Sequence, residues 1–131
     1  MSDQHAVQAL ARNKAVATGF IDGIVAGDIA RCTALLAEDA VWWVQGWGES
    51  TGAAFLASLE QTIARASSRA FRLGLVTAEA NRVAVQAWGE LAFPEGIYAN
   101  SYHYLFVIEH GTIRQGFEYF DTACAAAFYS R

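Results

Sequence analysis

The sequence predicts an α+β domain, helices first and a long antiparallel meander after them. Three observations carry that expectation. Apolar residues recur at three- and four-residue steps in the first half, the period changes to two from residue 70 onward, and turn signals separate the later runs. The chain has 131 residues, one proline, no internal repeat and no low-complexity linker, so one domain over residues 1–131 is expected. Apolar residues make up 54% and charged residues only 17%. That balance excludes intrinsic disorder and leaves more apolar surface than one core hides, so a pocket or a partner subunit is expected. A net charge of −4 with scattered Lys and Arg argues against nucleic-acid binding.

Met1-Ser2-Asp3-Gln4-His5 is polar and reads as a disordered start over residues 1–5, without the pattern of a signal peptide. In the first helix Leu10, Ala17, Phe20, Ile21 and Ile24 share one face. Gly27 stops it, and Asp28 can cap a short second helix over Ile29–Leu36. Val41-Trp42-Trp43-Val44 is a β-rich run broken by Gly46 and Gly48. A third helix, capped by Ser50 or Thr51, places Phe55, Leu59, Ile63 and Ala66 on one face. Phe71, Leu73 and Leu75 then alternate with Arg72 and Gly74, and Asn81-Arg82 turns the chain into a strand ending at Phe93. Pro94-Glu95-Gly96 is a turn, Ile97–Glu109 the next strand, His110-Gly111 a hairpin and Thr112–Asp121 the last strand. The tail over 123–131 is alanine-rich and helical over Ala123–Tyr129.

Alternation divides the sheet into two faces. One set holds Val83, Val85, Ala87, Ser101, His103, Leu105, Val107, Ile113, Phe117 and Tyr119; the other holds Gln86, Trp88, Glu90, Asn100, Tyr102, Tyr104, Phe106, Gly116, Glu118 and Phe120. Three helices blanket only one face of a curved sheet. The more aliphatic set is therefore expected against a second subunit, in a homodimer, and the mixed set in a pocket under the helices. No run approaches the ~18 apolar residues of a membrane span. Cys32 and Cys124 show no CxxC or metal spacing and read as reduced thiols, pointing to a cytoplasmic protein. His5, His103 and His110 are too dispersed for a metal site, and no glycine loop cradles a phosphate, so no cofactor is expected.

Gly27-Asp28-Ile29, Leu35-Leu36-Ala37-Glu38-Asp39-Ala40-Val41-Trp42 and the helix opening at Gly52 resemble the nuclear transport factor 2-like superfamily. Asn100-Ser101-Tyr102, Glu109-His110-Gly111-Thr112-Ile113 and Glu118-Tyr119-Phe120-Asp121-Thr122 resemble the closing strands of its SnoaL-like branch, so the likeness runs from about residue 6 to 122. The resemblance implies a cone of curved sheet and three N-terminal helices around a cavity, commonly dimeric. It also implies a choice among isomerases, polyketide cyclases, dehydratases, epoxide hydrolases and non-catalytic binders. A ketosteroid isomerase's base falls near Val44 and its oxyanion tyrosine near Phe20, neither able to serve. The Arg and Asp of a limonene-type epoxide hydrolase fall at Gln86 and Trp88, leaving Glu118 alone. The acid/base aspartate of SnoaL-like cyclases falls at Asp121, where one carboxylate in an apolar cavity can suffice.

The catalytic candidates are therefore Asp121, Glu118 and His103, each with a competing structural reading. Glu118 sits mid-strand among apolar neighbours, where burial raises a carboxylate's pKa, or else pairs with Arg114 or Arg72 at the surface. Asp121 is an acid/base or a cap for the helical tail. His103 lies on the face expected at the dimer interface. Substrate-binding candidates are Asn100 and Tyr102 for an oxygen, Trp42, Trp88 and Phe120 for a flat ring, and Gln86 and Phe20 by position. Asn100 and Tyr102 can equally bond internally across the sheet. Trp47, in a glycine loop, is placed to act as a lid. The expected function is a small-molecule lyase, isomerase or cyclase acting on an apolar cyclic substrate. The alternatives are a non-catalytic binder of a hydrophobic ligand and a structural domain whose pocket its own side chains fill.

Overall fold

The computed structural model of the chain describes residues 3–130. Helix α1 (Asp3–Ala26) begins inside the segment expected to be a disordered start, so His5 sits on its first turn; Met1 and Ser2 lie outside the described residues. Ala17, Phe20, Ile21 and Ile24 form its buried stripe. Gly27 ends it at φ +71°. The Gly27 N–H donates to Ile24 O at 3.0 Å and the Asp28 N–H to Gly23 O at 2.8 Å, the two bonds of a Schellman stop, whose left-handed residue favours glycine. Asp28 caps α2 (Ile29–Leu35), accepting from the Arg31 N–H at 3.0 Å. Of the two caps expected for α3 (Gly52–Arg65), the chain uses Thr51, which accepts from the Ala54 N–H at 3.0 Å.

Six strands make one sheet: β1 (Leu36–Val44), β2 (Gly48–Thr51), β3 (Ser68–Glu79), β4 (Arg82–Phe93), β5 (Gly96–Glu109) and β6 (Thr112–Phe120). Their order is β2-β1-β6-β5-β4-β3, and the β1–β6 pair alone is parallel. This is the expected α+β architecture. β2, at four residues, was not anticipated, because Gly46 and Gly48 mask so short a strand. Helix α4 (Thr122–Tyr129) packs Phe128 on Phe93 and Tyr98, with ring centroids 5.8 and 5.3 Å apart, and closes one end of the sheet. No helix among the described residues is long and apolar enough to cross a membrane. Cys32 and Cys124 are free thiols, and burial pushes Cys32 up to about 11.

The division of the sheet into faces needs one correction. Residues Pro94 and Glu95 alone separate the paired Phe93 and Gly96. A connection of two residues pairs odd positions with even ones, so the facing set changes parity across the turn. Val85 consequently pairs with Tyr104, and Gln86 with His103. Val83, Val85 and Ala87 are buried in the main core beside Phe106, and Gln86 and Trp88 turn to the outer face. From β5 to β6 a bulge at Val107/Ile108 restores the expected matching, Tyr104 opposite Glu118. A second bulge between Leu73 and Val76 turns Leu75 outward, 76% exposed. The outer face is thus mixed rather than aliphatic, with Ser101 and His103 exposed beside Trp88 and Tyr119.

Candidate functional site

Between the helices and the inner face of the sheet lies a cavity of about 520 Å³, within the range of small-molecule sites, roughly 300–1,000 Å³. Phe55, Leu59 and Ile63 of α3 wall one side, and Tyr98, Tyr102 and Tyr104 of β5 the other. Glu118 projects from β6, and Ala125 and Tyr129 of α4 bring the chain's end to the rim. No basic side chain is among the described lining residues; Glu49, the other carboxylate there, is exposed.

Glu118 lies between Gly116 and Phe120 on the inner face. Gly116 is a packing requirement: a Cβ there would collide with the six-membered ring of Trp42. Trp42 is fully buried, stacked on Phe55 at 4.1 Å and 13° and set 5.2 Å from Phe20. So held, its Nε1–H donates to Glu118 Oε1 at 3.3 Å. Burial raises the Glu118 carboxyl to about 7, and the Trp42 hydrogen bond opposes that rise. The surface ion pair considered for Glu118 does not form, since Arg114 pairs with Asp39 and Glu109 and Arg72 stacks over Trp88.

Burial also raises Tyr102 and Tyr104 well above the ordinary phenol range, with the Glu118 charge adding to it, so both hydroxyls stay protonated. The rings of Tyr102, Tyr104 and Phe106 stack in a ladder, 5.7 and 5.8 Å apart at 11° and 13°, and Phe71 stacks on Tyr102 at 5.6 Å.

Of the ten residues expected at the site, Glu118, Tyr102 and Phe120 line this cavity. Trp42 and Phe20 lie fully buried behind its wall, where Trp42 orients Glu118. Asn100 is buried and bonded internally: its Oδ1 accepts from the Ser101 and Asp121 N–H groups at 2.8 and 3.1 Å. Its Nδ2 donates to the Tyr98 hydroxyl at 2.6 Å and to Asp121 O at 3.0 Å. Gln86, Trp88, His103 and Asp121 instead line a shallower outer depression of about 360 Å³, on the other side of the sheet. Asp121 also caps α4, accepting from the Ala123 and Cys124 N–H groups at 3.0 and 3.1 Å. Trp47 stands at the cavity mouth, 68% exposed, 5.8 Å from the Phe120 ring. Tyr98, Tyr129 and Phe55 were missed as lining residues. Tyr98 shares the parity of Tyr102 and was legible from it.

A model of the SnoaL-like domain family matches residues 17–116. No curated protein matches the chain. Among solved structures, BvnE pinacolase from Penicillium brevicompactum is similar at a TM-score of 0.85 and 11% identity, covering 93% of this chain and 91% of its own. An LEH-like epoxide hydrolase of M. tuberculosis gives 0.79 at 15% identity, with 93% and 98% covered. An NTF2-like protein from Burkholderia xenovorans LB400 gives 0.73 at 20% identity, with 90% and 95% covered. Identities this low speak for the fold, and fold alone does not assign chemistry. With the family match spanning most of its length, the chain belongs to the SnoaL-like domain family, and it shares the nuclear transport factor 2-like fold of the solved structures it resembles.

Proposed function

We propose that the protein is a cytoplasmic, homodimeric small-molecule enzyme, a lyase, isomerase or cyclase, that uses Glu118 as its acid/base on an apolar cyclic substrate. The observation that carries this reading is a carboxylate facing an aromatic cavity, oriented by the Trp42 N–H and without a cationic partner among the described residues. With its pKa raised to about 7, Glu118 both takes and returns a proton near neutral pH. Such a group removes a proton from carbon when a neighbouring carbonyl makes that C–H acidic, and returns it to another atom of the same skeleton. The neutral tyrosine hydroxyls and apolar walls leave room for a ring system.

Asp121 is the less favoured acid/base, because its carboxylate caps α4 on the far side of the sheet. Epoxide hydrolysis is disfavoured on similar grounds. The inward positions of β4 are Val83, Val85, Ala87, Gly89 and Leu91, so Glu118 has no Arg or second carboxylate across from it. The pinacolase and epoxide hydrolase among the neighbours lend the reading support as small-molecule enzymes on this fold. An open volume of about 520 Å³ counts against a self-filled structural domain. The partly exposed Trp88 and Tyr119 are the outer-face positions offered to a second copy.

The test is native mass spectrometry of the freshly purified protein, followed by turnover of the retained compound. The reading expects a dimer carrying an apolar compound that wild type and Asp121→Asn convert and Glu118→Gln does not. A retained compound that no form converts would favour a non-catalytic binder.

A further inference from the structure

Glu118 is a half-buried carboxylate in an aromatic cavity to which the described residues bring no counter-charge. Its Oε1 accepts from the Trp42 Nε1–H at 3.3 Å, and its Oε2 has no partner among the described residues. The basic side chains of the flanking elements are committed elsewhere. Arg114 pairs with Asp39 and Glu109, Arg72 stacks over Trp88, Arg65 pairs with Glu95, and Arg69 donates to Val25 O at 3.1 Å. A carboxylate left uncompensated in an apolar enclosure is costly, and a bound cation removes that cost. The other polar groups of the lining lean the same way. Thr62 of α3 gives its hydroxyl proton to Ser58 O at 3.2 Å, which leaves it lone pairs alone to offer. Glu49 sets a second, exposed carboxylate at the mouth. Of the side chains that only donate, Trp47 alone is among the described lining residues, and Trp42, behind the wall, is spent on Glu118.

We infer that the cavity takes a cyclic amine, its ring among the aromatic walls and its ammonium on Glu118, so that the ligand supplies the cation the chain does not. This rests on the cavity being the substrate site proposed above, and it narrows the substrate to a ring that carries a basic nitrogen as well as its acidic C–H. An ammonium brings positive charge and donors only. The Glu118 carboxylate, the spent Thr62 hydroxyl and the phenol oxygens of Tyr102 and Tyr104 can all accept from it. Glu49 and a net charge of −4 favour the approach of a cation and oppose that of an anion.

The experiment compares two probes of one bicyclic shape by titration calorimetry at pH 8, where Glu118 is ionised. Tetrahydroisoquinoline is a protonated amine at that pH, and isochroman carries a neutral ether oxygen in place of the nitrogen. Wild type is expected to bind the amine about tenfold more tightly, the worth of one hydrogen bond to a charged group. Glu118→Gln removes the preference while isochroman binds as before, which also reports an intact cavity. Glu49→Gln keeps the preference, since that carboxylate stands in water at the mouth. Wild type that binds the two alike, favours the ether or binds neither overturns the inference. So does a Glu118→Gln protein that keeps the preference, or its loss in Glu49→Gln alone. Turnover of the compound retained on purification is read separately. A protein that Glu118→Gln silences, but that binds the two probes alike, keeps its acid/base and loses its amine. An amine preference in a protein whose turnover survives Glu118→Gln does the reverse.

Discussion

Replacing Glu118 by Gln is expected to stabilise the protein at high pH and to leave it nearly unchanged at low pH. Burial holds the folded carboxyl at about 7 against an ordinary 4.5. Below pH 4.5 both folded and unfolded chains carry the proton, and the site costs nothing. Between those values the unfolded chain releases the proton and the folded chain retains it, so stability falls as pH rises, and the full penalty is present above about 7. At about 1.4 kcal/mol per pH unit, that interval amounts to about 3 kcal/mol. Gln keeps the shape and an oxygen for the Trp42 N–H, but carries no charge to desolvate. At roughly 3 °C per kcal/mol for a chain of this size, Glu118→Gln should raise Tm by about 10 °C at pH 8.5 and by little at pH 4.5. Differential scanning calorimetry across that range decides it. A Tm difference that does not change with pH, or a variant less stable than wild type at pH 8.5, would refute the reasoning.

Three further substitutions test the surroundings. Gly116→Ala drives a methyl into the Trp42 ring and should cost about 2 kcal/mol in urea unfolding, as overpacking does; a neutral result would mean that Trp42 is not held against β6. Asn100→Ala strips bonds from the Ser101 N–H and both backbone groups of Asp121, for an expected loss of about 2–3 kcal/mol. Limited proteolysis should then cut first near α4, and unchanged protection there would count against the tie. Trp47→Ala removes the ring set against Phe120 at the mouth and should speed ligand release about fivefold, the worth of one aromatic contact; stopped-flow displacement with an unaltered off-rate would end the lid idea.

The architecture was readable because its signals are local. The Gly27-Asp28 stop and start, the Thr51 cap and the His110-Gly111 hairpin each act within a few positions and the structure uses them, while the turn expected at Asn81-Arg82 falls one residue earlier, between the paired Glu79 and Arg82. The site was less readable because it depends on which way each strand faces. Carrying one parity across Pro94-Glu95 placed Gln86 and Trp88 in the cavity and Val83, Val85 and Ala87 outside it, the reverse of what an even-length turn produces. The bulge at Val107/Ile108, which has no sequence mark, happened to return β6 to the expected register and so kept Glu118 inside. Trp42 shows a second limit. It was expected both to pack the core and to wall the cavity; it does the first, with its faces taken by Phe55 and Phe20, and its indole N–H is turned to Glu118. Periodicity cannot distinguish an aromatic that walls a cavity from one that stands behind the wall.

The most direct test of the acid/base assignment is the pH dependence of kcat/KM for the compound retained on purification, measured in parallel on wild type, Glu118→Gln and Asp121→Asn. The account predicts a wild-type profile that rises through about pH 7 as Glu118 loses its proton. Asp121→Asn should give the same profile, and Glu118→Gln a flat line at the uncatalysed rate. A Glu118→Gln protein that turns the compound over with the wild-type profile would contradict it.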